Sequence, residues 1–419
     1  MRIAVIGSGI AGLSAAWRLQ NGHEVVLFES EARLGGHTHT HEVMQAGQRY
    51  RVDTGFIVHN THNYPLLTAL FDELGVASRN TTMSFGVQVE SSGLEYNATR
   101  LDSLFCQRRN LLSPSFLRMV REILRFYREA GALLQDPGPG PSLGDYLTAQ
   151  RYSALFRDAH LIPMASALWS SPSKRILDFP AKHLVRFMDH HRMLQVDDRP
   201  QWRTVIGGSS SYIEAMQARW RVELRLACPV QRISRDETGV SVKHVAGEDR
   251  FDAIVVATHS DQALALLGDA DALEHEVLGA IPFQRNEVVL HTDRRLLPRN
   301  PKAWAAWNAF VPAESGAECS VSYCMNLLQG LDAPEPFVVT LNRTAAIDPA
   351  KVLARMNYQH PVYTHASVAA QNHQAELQGR RRSAFAGAWW GFGFHEDGIR
   401  SGFAAADGLL ASLSARTAA

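Results

Sequence analysis

Arg2-Ile3-Ala4-Val5-Ile6-Gly7-Ser8-Gly9-Ile10-Ala11-Gly12 sets a β-branched apolar run directly before the spacing GxGxxG. The run reads as a strand, and Ala11 to Gln20 carries helical periodicity that stops near Gly22. His23 to Phe28 is a second apolar run, so the first ~30 residues form one βαβ unit. Gly7, Gly9 and Gly12 permit a tight turn and close backbone approach. Ile10 and Ala11 open a helix whose free N–H groups suit a pyrophosphate. Glu29, 17 residues beyond Gly12, closes the second strand, followed by Ser30. A carboxylate there accepts from both ribose hydroxyls and disfavours a 2′-phosphate. The expectation is an α/β fold with a Rossmann-like dinucleotide domain.

The rest of the chain limits what that unit belongs to. Its 419 residues are 46% hydrophobic and 20% charged, values of a globular protein. Lys+Arg and Asp+Glu are both 42, so no overall field attracts a nucleic acid. Lysine stands at only five positions, 174, 182, 243, 302 and 351. Cys106, Cys228, Cys319 and Cys324 form no CxxC, a reduced, cytoplasmic pattern. MRIAVIGSG does not read as a signal peptide, and no apolar run reaches the ~20 residues of a membrane span.

From Tyr64 to about Trp202 the pattern is mostly helical, with one hairpin around Ser91-Ser92-Gly93. Ser142 reads as a helix N-cap after Pro137-Gly138-Pro139-Gly140-Pro141. Strand-like runs follow at 222–226, 228–233, 239–245 and 251–257, and the chain ends in a Gly/aromatic loop and a helix.

Arg33-Leu34-Gly35-Gly36, just past Glu29, resembles the second phosphate-binding motif of the flavoproteins related to amine oxidases, phytoene desaturases and protoporphyrinogen oxidase. Further segments resemble that superfamily in the same order. They are residues 50–56 with Thr54 and Gly55, residues 202–208, Pro229-Val230, residues 252–258 ending in Ala257 and Thr258, and Ala386-Gly387 with residues 397–402. The resemblance implies non-covalent FAD. It implies that His37 lies by the diphosphate, that the Val230 backbone meets the adenine, and that Asp397, Gly398 and Ile399 open a helix toward the N1–C2=O edge of the isoalloxazine. Either Glu396 or Asp397 can N-cap that helix and take over a flavin contact, since Ala388 replaces the usual acid after Ala-Gly. The implied FAD domain comprises 1–60, 204–280 and 381–419. A substrate domain of mixed sheet and helices comprises 61–203 and 281–380, so both are discontinuous.

The amine oxidases hold a lysine near flavin N5, but the corresponding stretch here, residues 285–291, has none. Their aromatic cage reads here as residues 389–397, with His395 in one cage position. His-Pro-Val-Tyr at 360–363, Gly-Arg-Arg-Arg at 379–382 and Gly-Phe-His-Glu-Asp-Gly at 393–398 resemble a bacterial group of FAD-binding oxidoreductases often encoded beside cyclopropane-fatty-acyl-synthase-like enzymes. That implies a lipid acyl substrate.

His395 is the first candidate for acid–base work, and His59 the second. His37, His39 and His41 alternate and could share one strand face as metal ligands; the alternative, taken here, is that no metal is bound. Arg118, Arg121, Arg125 and Arg128 recur along a helix from Phe116 to Tyr127. Two readings stay open: a solvated face partnered by Glu122 and Glu129, or a peripheral contact with an anionic inner-membrane surface. The expected activity is hydride transfer from a C–H bond of a small apolar or lipid substrate to FAD, as desaturation or isomerisation. Amine oxidation and a non-catalytic flavin- or lipid-binding component are the alternatives.

Overall fold

The computed structural model describes residues 1–169, 173–314 and 318–418. Arg2–Ile6 and Glu24–Phe28 pair in parallel, joined by the helix Ile10–Leu19. Three more parallel strands complete a sheet ordered Glu223–Arg225, Glu24–Phe28, Arg2–Ile6, Ala253–Val256, Ser383–Phe385. Both faces are covered, so the central strands read as unbroken apolar runs rather than alternating ones. The fold is α/β, as expected.

The second sheet has seven strands. Their order is Val352–Pro361, Phe283–His291, Val338–Leu341, Ser320–Cys324, Trp307–Val311, Phe85–Val89, Leu94–Asn97. One of its pairings, Trp307–Val311 with Phe85–Val89, is parallel and the others are antiparallel. The helices Pro114–Glu129, Leu143–Ala149, Ile162–Trp169 and Ala181–His190 share a core with Val87, Tyr96 and Ala309 of this sheet. Ser142 accepts from Asp145 N at the start of the second of these helices. No helix among the described residues is long and apolar enough to cross a membrane.

The last helix, His395–Ala418, lies along Ile10–Leu19. The approach is set by glycine. A Cβ on Gly398 would stand 2.5 Å from Ile10 Cγ2, and one on Gly402 would stand 2.3 Å from the Ala11 carbonyl oxygen. Gly398 and Ile399 are therefore seam residues of a helix pair. Gly402→Ala is expected to lower stability by about 1–3 kcal/mol, because the obstructing atom is backbone and cannot rotate away. Urea unfolding followed by tryptophan fluorescence measures it; an unchanged midpoint would show that the seam tolerates a methyl group.

Candidate active site

The turn after the first strand is built by two close approaches. A Cβ on Gly12 would sit 1.9 Å from the Gly7 oxygen, so helix and turn meet only with glycine there. Gly7 itself has φ 95°, in the left-handed region that favours glycine. Gly9 differs: a Cβ there meets nothing within 4 Å and would project into a cavity. The second glycine loop abuts the first. Gly35 N donates to Ser8 O at 3.0 Å, and a Cβ on Gly36 would meet Gly9 Cα at 3.2 Å.

These loops form one end of a cavity of about 1310 Å³, larger than the ~300–1,000 Å³ of ordinary ligand pockets. Its lining includes Gly7, Gly9, Ile10, Ala11, Glu29, Ser30, Arg33, Gly35, Gly36, His37, Thr54, Gly55, Ala257, Thr258, Gly387 and His395. Arg33 is held by Glu31 at 3.0 Å and by the Thr38 carbonyl at 3.3 Å. Glu29 accepts from Ser8 N at 2.9 Å and Ser8 Oγ at 2.5 Å, which aims its carboxylate at the same turn. A helix N-terminus, a cradle that a Cβ would fill, a guanidinium and a strand-end carboxylate are the donor set a dinucleotide requires. FAD fits these residues.

Several expected residues lie elsewhere. His59 does not line the cavity; its ring stands edge-on to Phe71, 5.2 Å away, because Val58-His59 pairs in a small sheet that turns His59 inward. Val230 lies in a three-stranded antiparallel sheet and packs on the core behind the parallel sheet, outside the cavity lining. Gly12, Gly398 and Ile399 are packing residues. Asp397 is not the N-cap of the last helix but its third residue. Its carboxylate accepts from the Phe392 and Phe394 backbone N–H groups at 3.0 and 3.1 Å, closing the preceding loop. Glu396 accepts from Leu66 N and Leu67 N at 3.0 and 3.1 Å, and so caps Pro65–Leu74, whose own N-cap Tyr64 supplies no side-chain acceptor. Neither acid lines the cavity.

His395 lines the cavity as the first residue of the last helix. Its ring stacks on Phe56 with centroids 3.7 Å apart, and its Nε2 is 2.9 Å from Thr38 Oγ1, which is itself 2.6 Å from Tyr212 OH. Burial, with His59 nearby, lowers its pKa to about 3, so the ring is neutral. Desolvation likewise lowers His37, His160, His191, His259 and His360, which also line the cavity. The three do not share one face: His39 and His41 lie together with ring centroids 4.0 Å apart, while His37 turns to Tyr358 and His360. Among the described residues no three metal-ligating side chains converge.

Sequence reading gave no role to Thr38, Tyr212 or Tyr358, and took His360 and Asp53 only as members of longer motifs. Tyr358 OH meets Thr54 Oγ1 at 2.8 Å and His39 Nδ1 at 3.1 Å. Buried Asp53, pushed up to about 6 by desolvation, accepts from Thr40 Oγ1, Ser209 N and Oγ, and Gln329 Nε2. It pins the segment following Arg203–Val205 to the end of the strand Gln48–Asp53. The available signal was the alternation of Met356, Tyr358 and His360 on one strand face. No lysine lines the cavity among the described residues, and the Lys174 side chain lies outside them. Within Phe283–His291 it is Phe283 and Val288 that face it.

Gly9→Val is expected to fold, since no protein atom obstructs it, and to lose most of its dinucleotide. Flavin absorbance of the purified protein against far-UV circular dichroism separates the two effects. The histidines make the protein acid-labile. Unfolded histidines protonate near 6.5 while the folded ones stay neutral to lower pH, so stability falls as pH drops below about 6.5. An apparent melting temperature unchanged between about pH 7 and about pH 5 would contradict this.

Known proteins agree with the cradle. The model of the family described as flavin containing amine oxidoreductase matches residues 10–315. AofH of Mycobacterium tuberculosis, assigned as a flavin-containing monoamine oxidase, is 28% identical over 268 residues, 61% of this chain. The chain spans 56% of that relative's length. Cyclohexylamine oxidase of Brevibacterium oxydans has the same fold, with TM-score 0.71, 18% identity and 99% of each chain covered. So has a fatty acid isomerase of P. acnes that produces CLA, with TM-score 0.62, 17% identity and 96% and 97% covered. With most of its length, residues 10–315, matched by the family model, the chain belongs to the flavin containing amine oxidoreductases.

Proposed function

We propose that this oxidoreductase takes a hydride from a C–H bond of a fatty-acyl or similarly apolar substrate, in a desaturation or isomerisation. The observation that carries the reading is the charge of the cavity. Its acids, Glu29 and Glu31, lie at the dinucleotide end. The remainder is lined by side chains such as Leu104, Val120, Ile123, Met164, Leu168 and Phe187, with histidines held neutral by burial. Such a lining favours a chain of methylenes, each worth about 0.8 kcal/mol on burial. A fatty acid isomerase among the similar structures supports the reading.

FAD, when bound, supplies the hydride acceptor. The chain supplies position. His395, its pKa lowered to about 3 by burial, is neutral at neutral pH and has no proton to deliver as an imidazolium acid. It orients Phe56 on one side and joins Thr38 and Tyr212 on the other. Val288 presents an apolar surface on Phe283–His291, the strand from which the sequence comparison expected an amine-oxidase lysine. A second reading, amine oxidation, is favoured by the relationship to AofH.

Anaerobic mixing of the FAD-loaded protein with detergent-dispersed acyl lipids and with an amine panel decides between them. Acyl lipids alone are expected either to bleach the flavin band and yield a product lighter by two hydrogens, or, where the hydride is returned, to yield an isomer of the substrate with the flavin band unchanged at the end. Bleaching by amines alone, with peroxide released in air, would replace the first reading by the second.

A further inference from the structure

Stretch 99–130 carries seven arginines against three acids in a chain of zero net charge. It contains Leu101, Leu111, Leu112 and Leu124, which are 76, 49, 88 and 49% exposed. Leu101, Leu124 and Val196, itself 62% exposed, also line the cavity and therefore stand at its mouth, beside Arg100 and Arg199. Pro114–Glu129 joins surface to interior. Val120, Ile123, Leu124 and Tyr127 form a cavity-lining face, while Leu117, Arg121, Leu124 and Arg128 follow one another on an outer face. Arg199, from the facing segment, leans over the Tyr127 ring at 5.9 Å.

Not all the positive charge is free. Arg118 bonds Glu122 at 3.1 Å, Arg128 bonds Glu129 at 2.7 Å, and Arg125 lies over Tyr152 and donates to Gln150 O. Arg108 pairs with Asp102. Among the described residues Arg100 and Arg121 pair with no carboxylate, and they flank the exposed leucines in sequence. Exposed leucines alone do not name an occupant. Exposed leucines near in sequence to unpaired Arg100 and Arg121, two of them, Leu101 and Leu124, at the opening of the cavity, match an anionic phospholipid surface: acyl region for the leucines, phosphate for the guanidinium groups.

We propose that this mouth seats on an anionic phospholipid bilayer, so that an acyl chain passes between Leu101, Leu124 and Val196 into the cavity without crossing water. The proposal rests on the acyl-substrate reading above and adds the source of that substrate.

The test is co-sedimentation of the FAD-loaded protein with vesicles of phosphatidylcholine, alone or mixed with phosphatidylglycerol, at low and high salt. Binding to the mixed vesicles that falls with salt is expected. Arg121→Ala, at a residue outside the cavity, should weaken it about fivefold. Leu112→Glu should weaken it further, with flavin content and bleaching by detergent-dispersed acyl lipid unchanged in both variants. Absence of vesicle binding, equal binding to both vesicle types, or binding unaffected by both variants overturns the proposal. Vesicle binding with neither flavin bleaching nor conversion of any acyl lipid to a desaturated or isomeric product would leave the docking surface standing and remove the acyl-substrate reading, so the two fail separately.

Discussion

Everything at the dinucleotide end depends on the absence of two side chains. Without a Cβ on Gly12, the first helix settles against the Gly7 carbonyl, and its N-terminus reaches the carboxyl edge of the parallel sheet. Without one on Gly9, the space in front of that N-terminus stays open. Partial positive charge and backbone donors are thus delivered at the sheet edge, where doubly wound folds bind their ligands. The Arg33 loop, the Glu29 carboxylate and the last helix are arranged around this contact, the last through further glycines at 398 and 402.

A second constraint governs the other end. Burial pushes every cavity histidine toward its neutral form, so a residue type that elsewhere signals acid–base chemistry here contributes shape and hydrogen bonds. The same desolvation leaves His37 Nε2 and His259 Nδ1 without partners in the protein. The polar groups at the dinucleotide end face the open cradle, whereas His395 is tied to Thr38, and Thr38 to Tyr212, behind the cavity wall.

The βαβ unit, its glycines and Glu29 were legible because local spacing alone sets a turn and a helix start. The parallel strands were legible as apolar runs. What was not legible depends on partners distant in sequence. Asp397 and Glu396 sit beside each other, and nothing local says that one closes its own loop while the other caps a helix about 330 residues earlier. His59 and His395 look equally polar, but strand pairing turns one inward and a helix start presents the other. The arginine stripe and its partners Glu122 and Glu129 were visible by period, whereas the seat of Arg125 over the Tyr152 ring needed tertiary geometry.

The reach of Glu396 to the amides of Leu66 and Leu67 has a consequence for biosynthesis. The edge strand Ser383–Phe385, the seam at Gly398 and Gly402, and the cap on Pro65–Leu74 all come from residues translated long after the βαβ unit. At about 5–20 residues per second, the amino-terminal βαβ unit waits roughly 20–80 s for the pieces that complete its domain. The nascent chain therefore passes through a stage in which the glycine cradle exists but the helix that packs against it does not. The packed cradle is complete only once residues 395–402 have been made, and the exposed apolar face of the first helix is the surface a chaperone would meet in the interval.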